Sequence, residues 1–61
     1  MKTYYVIFRE DNTIDTSLEK DFEVDSYSYI KTRITDVGIL EYYAHNSHAE
    51  FLKENLKDEL I

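Results

Sequence analysis

The pattern of apolar and polar positions predicts four β-strands followed by one helix. Residues 3–10 (TYYVIFRE) are rich in aromatic and β-branched residues and predict a first strand, with Asp11-Asn12 as the hairpin turn after it. A second strand follows the turn from Ile14 onward. Residues 28–35 alternate between apolar and polar and predict a third strand, and residues 39–44 predict a fourth.

A strict two-residue alternation predicts that the second strand continues to Asp25. Every second residue is a carboxylate, and these are Glu19, Asp21, Glu23 and Asp25. The residues between and before them are Leu18, Lys20, Phe22 and Val24. Because a strand sends successive side chains to opposite faces, we expect one face that is mostly apolar and one that is wholly negative.

The last part of the chain carries a loop signal and a helix signal. Asp36-Val37-Gly38 predicts a three-residue hairpin loop in which the only glycine takes a left-handed conformation. Ser47 followed by Glu50 is a capping box and predicts a helix from about His48. Its apolar face is formed by Phe51, Leu52, Leu56 and Leu60.

A strand register follows if residues 25–27 connect the second and third strands. Asp21 then lies opposite Lys31, and Glu19 lies opposite Arg33, on the outer face. The charge left over would lie near Glu23 and Asp25.

Carrying the register through the Gly38 loop places Ile34 opposite Leu40. The expected fold class is α+β, a small antiparallel β-sheet of three or four strands with a C-terminal amphipathic helix packed on one face. The expected core under that helix is Tyr4, Val6, Phe8, Leu18, Phe22, Val24, Ile30, Ile34, Leu40 and Tyr42.

A competing interpretation keeps the acidic strand and changes its neighbours. Residues 26–34 form a short helix capped by Asp25 or Ser26, and residues 37–60 form one or two helices.

Composition indicates an acidic globular domain spanning residues 1–61. Thirteen Asp and Glu residues against 7 Lys and Arg give a net charge of −6, while 43% of the residues are hydrophobic, which argues against disorder. This charge repels phosphate backbones and anionic membranes, so we expect no direct nucleic-acid or membrane binding, and it attracts basic protein surfaces. With no cysteine and no apolar run of about 18 residues, we expect a cytoplasmic protein.

Two groups of residues are candidates for binding a partner. Five carboxylates are expected to be unpaired and to form a negative ridge that imitates a nucleic-acid backbone: Glu10, Asp11, Asp15, Glu23 and Asp25. Strand alternation places Tyr5, Tyr29 and Tyr43 on the outer face with Ile7, where tyrosines serve as interface anchors. The alternatives are a solvated acidic face and ordinary cross-strand aromatic packing.

Catalytic and metal-binding patterns are weak in this chain. His45 and His48 form an H-x-x-H spacing near Glu41 and Glu50, which we interpret as two surface imidazoles rather than a metal site. No cysteine nucleophile or Gly-rich phosphate loop is present, and 61 residues offer little bulk for a pocket of several hundred Å³. We expect neither an enzyme nor a cofactor.

These observations favour a small acidic protein that inhibits or modulates a larger one by occupying its basic surface. Nucleic-acid-handling enzymes carry such surfaces, so the chain would act as a DNA mimic. By analogy of class, small acidic inhibitors of this kind are phage products directed against host or defence proteins, or antitoxins. The alternative is a homodimeric structural or accessory module that associates through its tyrosine face or a sheet edge.

Overall fold

The computed structural model describes residues 2–56, which form four strands and one helix. The strands are β1 (Thr3–Phe8), β2 (Ile14–Ser17), β3 (Tyr27–Thr35) and β4 (Gly38–His45). A short 3-10 turn, Val24–Ser26, precedes β3, and the helix α1 spans Asn46–Leu56. The predicted helix position Leu60 lies outside the described residues.

The four strands form one mixed sheet in the order β2-β1-β4-β3. The outer pairs β1–β2 and β3–β4 are antiparallel, and the central pair β1–β4 is parallel. The helix α1 packs against β3 and β4. The predicted α+β class, a small sheet with a C-terminal helix on one face, is confirmed. In the described residues no helix has the length and apolar character needed to cross a membrane.

The ladder register defines two faces of the sheet, because paired residues point to the same side. Val6 of β1 lies beside Tyr42 of β4, and the rings of Tyr42 and Phe8 stack with centroids 6.3 Å apart. Phe8 also borders a depression with His48 and Leu52 of α1. This side is therefore the helix face. It carries five of the predicted core residues: Tyr4, Val6, Phe8, Leu40 and Tyr42.

The core is smaller than predicted and differs in membership. Among the residues whose burial the structure describes, the buried apolar ones are Ile7, Ala44 and Ala49. Ile7 is on the face away from the helix, as predicted, yet it is completely buried between Asp15 of β2 and Tyr43 of β4. Three predicted core residues are instead exposed, Leu18 at 55%, Val24 at 66% and Ile34 at 74%.

The predicted acidic strand is wrong. Strand β2 ends at Ser17, and residues 18–26 form an irregular segment that closes with the 3-10 turn. The Ser17 hydroxyl accepts the Glu19 N–H at 3.1 Å, and the Glu19 carbonyl accepts the Asp21 N–H at 2.8 Å. These local bonds take backbone groups that a strand ladder would need.

The predicted pairs Asp21–Lys31 and Glu19–Arg33 are consequently also wrong. Among the described residues, the one strand paired with β3 is β4. The negative charge is therefore not neutralised across a ladder, and its position depends on the path of residues 18–26.

The turn between β3 and β4 is one residue shorter than predicted. Thr35 pairs with Gly38, so the turn contains Asp36 and Val37 alone, and Gly38 begins β4. Ile34 therefore lies opposite Ile39 rather than Leu40.

That shift of one residue exchanges the two faces of β3 over residues 31–35. Lys31, expected outside, lies opposite Tyr42 on the helix face and is only 3% exposed, with its Nζ 5.1 Å from the centre of the Tyr42 ring. A bulge between Tyr29 and Lys31 leaves Ile30 as the extra residue.

The helix begins at Asn46, and the predicted capping box is not formed. Ser47 lies inside the first turn, where its N–H donates to His45 Nδ1 at 3.2 Å. The imidazole of His45 thus accepts the Ser47 N–H, the backbone donor that the Glu50 side chain was expected to satisfy. The Asn46 side chain joins this end of the helix to the 3-10 turn before β3, donating to the Asp25 carbonyl at 3.2 Å.

Candidate protein-binding surface

Residues 18–26, called the covering segment below, cross the sheet face that lies away from the helix. The Phe22 ring packs between Tyr27 and Tyr43, with centroid distances of 5.0 Å and 4.9 Å. The Nζ of Lys20 lies 5.8 Å from the ring centre of Tyr5 and 5.6 Å from that of Tyr43. The covering segment is therefore attached to an aromatic surface rather than to a strand.

The three tyrosines singled out from the sequence do come together on this face. Tyr43 is the hub, with the Tyr5 ring 6.1 Å away and the Tyr29 ring 5.7 Å away. Tyr29 is 49% exposed, whereas Tyr5 and Tyr43 are half-buried. The tyrosine surface is thus partly covered in the free protein.

The hydroxyl of Tyr43 donates a hydrogen bond to Glu41 Oε1 at 3.0 Å. Burial raises the pKa of Tyr43, and the adjacent Glu41 carboxylate raises it further. Tyr43 is therefore held neutral and oriented.

A cleft of about 590 Å³ opens where the covering segment meets the end of β1. It is a broad depression open to solvent rather than an enclosed pocket. The cleft is lined by acidic Glu10, Asp21 and Glu23, by basic Arg9 and Lys20, by His45, and by Phe22, Ser26 and Tyr27.

Arg9 joins the covering segment to the strands. Its Nε donates to Asp15 Oδ2 at 2.8 Å, and its guanidinium also donates to the Asp21 carbonyl at 3.1 Å. The hydrogen bond with Asp15 raises the pKa of Arg9, with a smaller contribution from the Tyr27 hydroxyl. Asp15, expected to be unpaired, is therefore the ion-pair partner of Arg9.

Asp11 shapes the turn between β1 and β2. Its Oδ1 accepts both the Thr13 hydroxyl at 2.6 Å and the Thr13 N–H at 3.1 Å. The hydroxyl bond, and then the N–H bond, lower the pKa of Asp11, so the carboxylate stays charged. Asp11 and Glu10 line a second depression of about 360 Å³ that adjoins the first through Arg9 and Tyr27.

Four carboxylates therefore surround two adjoining depressions and form an acidic rim: Glu10, Asp11, Asp21 and Glu23. Within residues 2–56, none of these four forms a salt bridge with a lysine or arginine; the ion pair recorded at the rim joins Glu10 Oε1 to His45 Nε2 at 3.7 Å. Asp25, the remaining predicted carboxylate, is exposed outside both depressions, with its carbonyl bonded to Asn46.

The two histidines point to Glu10 rather than to a common metal position. His45 Nε2 faces the Glu10 carboxylate, and His48 Nε2 lies 2.9 Å from the Glu10 carbonyl oxygen. No group of three or more metal-ligating side chains was found in the described part of the chain.

Sequence reasoning missed Arg9, Lys20 and His45 as members of this surface. A signal existed for Lys20, since it was the one charged residue in the row expected to be apolar. Arg9 and His45 sit at strand ends, and no local pattern indicates what faces them. Comparisons with protein-family models, with curated proteins and with solved structures gave no match.

Proposed function

We propose that this chain is a non-enzymatic binding protein whose acidic rim and adjoining tyrosines occupy a basic surface of a larger protein, which is thereby inhibited or modulated. The observation that carries the proposal is the gathering of Glu10, Asp11, Asp21 and Glu23 around adjoining depressions without a Lys or Arg salt bridge in residues 2–56. The four carboxylates outnumber the two cations of the described residues that line the same depressions, Lys20 and Arg9, and Arg9 is already paired with Asp15. An excess of negative charge of this kind steers positively charged partners.

The partner class that fits best is a protein with a nucleic-acid-binding groove. Such grooves are lined by Lys and Arg that neutralise regularly spaced phosphates. The net charge of −6 favours association with them, and the tyrosines beside the rim supply contact area at low entropic cost. The chain would then compete with the nucleic acid for the groove.

The test is affinity capture from a lysate of the source organism at low and high salt, followed by competition with duplex DNA and with RNA. We expect a basic nucleic-acid-binding protein to be captured at low salt, released at high salt and displaced by its own nucleic acid. If the amount of captured partner changes neither with salt nor with added nucleic acid, the proposal is contradicted.

A matched pair of variants locates the surface. The double variant Glu10→Gln/Glu23→Gln removes two charges from the rim. The control Asp36→Asn/Glu50→Gln removes two exposed charges from the β3–β4 turn and the helix. We expect the first to weaken capture by about tenfold or more, which corresponds to losing two charge contacts of about 0.7 kcal/mol each, and the second to leave it within about twofold. If the two double variants weaken capture equally, the acidic rim is not the surface that binds the partner.

Self-association is a second candidate function, favoured by the exposure of β3. This nine-residue strand forms one edge of the sheet, and among the described residues its outer side has no strand partner. Tyr29 and Ile34 are both exposed on it. Light scattering across a concentration series distinguishes the candidates, since a stable dimer that survives high salt and Glu10→Gln/Glu23→Gln supports self-association.

A further inference from the structure

The Tyr5–Tyr43 pair already holds a cation in the free protein. The ammonium of Lys20 lies within 6 Å of both ring centres, at 5.8 Å from Tyr5 and 5.6 Å from Tyr43. This is the separation at which a cation is attracted to the negative face of an aromatic ring. Two rings on one ammonium form an aromatic site for a positive charge.

Lys20 is held weakly at this site. It is exposed, and within the described residues it forms no salt bridge to a carboxylate. Besides the contacts of Phe22 and Lys20 with the tyrosines, three hydrogen bonds tie the covering segment to the strands and helix in the described residues: from Arg9 to the Asp21 carbonyl, from the Glu19 N–H to the Ser17 hydroxyl, and from Asn46 to the Asp25 carbonyl. Lys20 can therefore leave the tyrosines without breaking a strand ladder.

We propose that the Tyr5–Tyr43 pair is a receptor site for a lysine or arginine side chain of the partner protein, and that Lys20 occupies it until that side chain replaces it. The inference rests on the proposed function, because it names the contact by which the acidic surface recognises a basic partner. Exchange replaces one exposed cation–π contact with another, so opening the site costs little. The displaced Lys20 remains in the same cleft as Asp21 and Glu23, which can accept its charge.

The neighbourhood of the pair suits an incoming cation. The Tyr43 hydroxyl donates to Glu41, and the Lys20 ammonium bonds to the same hydroxyl and partly opposes the rise in the pKa of Tyr43, so the ring face and the hydroxyl oxygen both attract a cation. The rim carboxylates Asp21 and Glu23 line the cleft that also contains Lys20. A basic side chain guided by the rim therefore arrives beside the tyrosines.

The experiment compares Lys20→Gln with Lys53→Gln. Both variants remove one exposed lysine, but Lys53 lies on the helix. Binding of a short oligolysine peptide is measured by calorimetry, with the same peptide acetylated on its side chains as the neutral probe. We expect Lys20→Gln to bind the charged peptide about two- to fivefold more tightly than Lys53→Gln, the equivalent of one exposed cation–π contact. The acetylated peptide should show no difference.

Two further variants test the rings. In the Lys20→Gln background, Tyr5→Leu should abolish the gain and Tyr5→Phe should keep it, since the ring and not the hydroxyl attracts the cation; circular dichroism verifies that each variant is folded. In the unmodified protein, the ε-methylene NMR signal of Lys20 should move toward its free position as peptide is added.

Equal affinities of Lys20→Gln and Lys53→Gln overturn this inference, as does a Lys20 signal that stays unchanged at saturation. If Glu10→Gln/Glu23→Gln still weakens capture of the partner in that case, the proposed function stands without the tyrosine site. If neither the unmodified protein nor any of its variants binds oligolysine, the inference is also overturned. The proposed function is tested separately, by the capture experiment.

Discussion

Gly38 lies directly against the main chain of Lys2. A Cβ atom at position 38 would stand 2.6 Å from the Lys2 carbonyl oxygen and 3.0 Å from the ring of Tyr4. The same carbonyl accepts a hydrogen bond from the Ile39 N–H at 2.8 Å. The close approach lets the parallel pair β1–β4 begin at this point. Gly38 also has a positive φ of 158°, which residues other than glycine rarely adopt, although it begins β4 rather than ending a three-residue loop.

Gly38→Ala should therefore destabilise the protein by on the order of 2 kcal/mol, because the backbone of Lys2 must move to accept the methyl group. Urea unfolding followed by circular dichroism measures the change. Val37→Ala, in the exposed turn next to it, is the control and should stay within about 0.5 kcal/mol of the unmodified protein. If Gly38→Ala and Val37→Ala unfold at the same urea concentration, the close contact between Gly38 and Lys2 is contradicted.

Arg9→Ala should cost more stability than Asp15→Ala. The exposed ion pair is worth at most about 1 kcal/mol, and both variants lose it. Arg9→Ala also loses the bond to the Asp21 carbonyl, which adds about 1 kcal/mol and releases the covering segment. Hydrogen exchange provides the separate measurement: faster exchange within residues 18–26 is expected for Arg9→Ala and not for Asp15→Ala.

Tyr43 should ionise above its ordinary pKa of about 10, mainly because it is buried and in addition because it donates to Glu41. A folded-state pKa that is raised gives stability that is complete below the unfolded value and is lost as pH rises through the folded one. Stability should therefore fall above about pH 10. Glu41→Gln should lower the pKa of Tyr43 only in part, since burial remains; ultraviolet titration of phenolate checks this, and complete normalisation would assign the shift to Glu41 instead.

Lys31→Ala should destabilise the protein by about 2 kcal/mol, since a buried alkyl stem and an ammonium over the Tyr42 ring are both removed. Lys31→Met keeps most of the stem and should cost less. Lys53→Ala, an exposed helix position, serves as the control for loss of a lysine. Thermal unfolding ranks the three, and a Lys31→Ala variant as stable as Lys53→Ala would show that position 31 is not packed.

The fold class could be predicted because β1, β3, β4 and the helix each have a recognisable composition or periodicity in the sequence. The same patterns failed where a short-range choice decides the outcome. A hydroxyl at Ser17 ended β2, and a turn one residue shorter than expected exchanged the faces of Lys31 and Ile34. The parallel pairing of β1 with β4 joins distant parts of the chain, and the alternation of residues within either strand does not predict which strand pairs with it.

The candidate surface was also predicted only in part, for its tyrosines and not for the carboxylates of the covering segment. Alternation brought Tyr5 and Tyr43 to one face, because each lies on a strand whose two-residue period fixes its direction. Tyr29 joins them because the bulge at Ile30 offsets the one-residue shift of the β3–β4 turn. The carboxylates of residues 18–26 could not be placed, since an irregular segment has no period. Lys20, the odd member of that row, turns out to lie at the tyrosines.

The parallel pairing of β1 with β4 at the centre of the sheet also constrains how this chain can fold. Before β4 is synthesised, β1 has only the four-residue β2 as a partner, and an isolated hairpin is marginally stable in water. Bringing β4 to β1 closes a long loop, whose entropy is lost before the new contacts compensate. The nascent chain should therefore remain unstructured on the ribosome until β4 has emerged, and the aromatic surface, the acidic rim and the helix should then form together in one cooperative step.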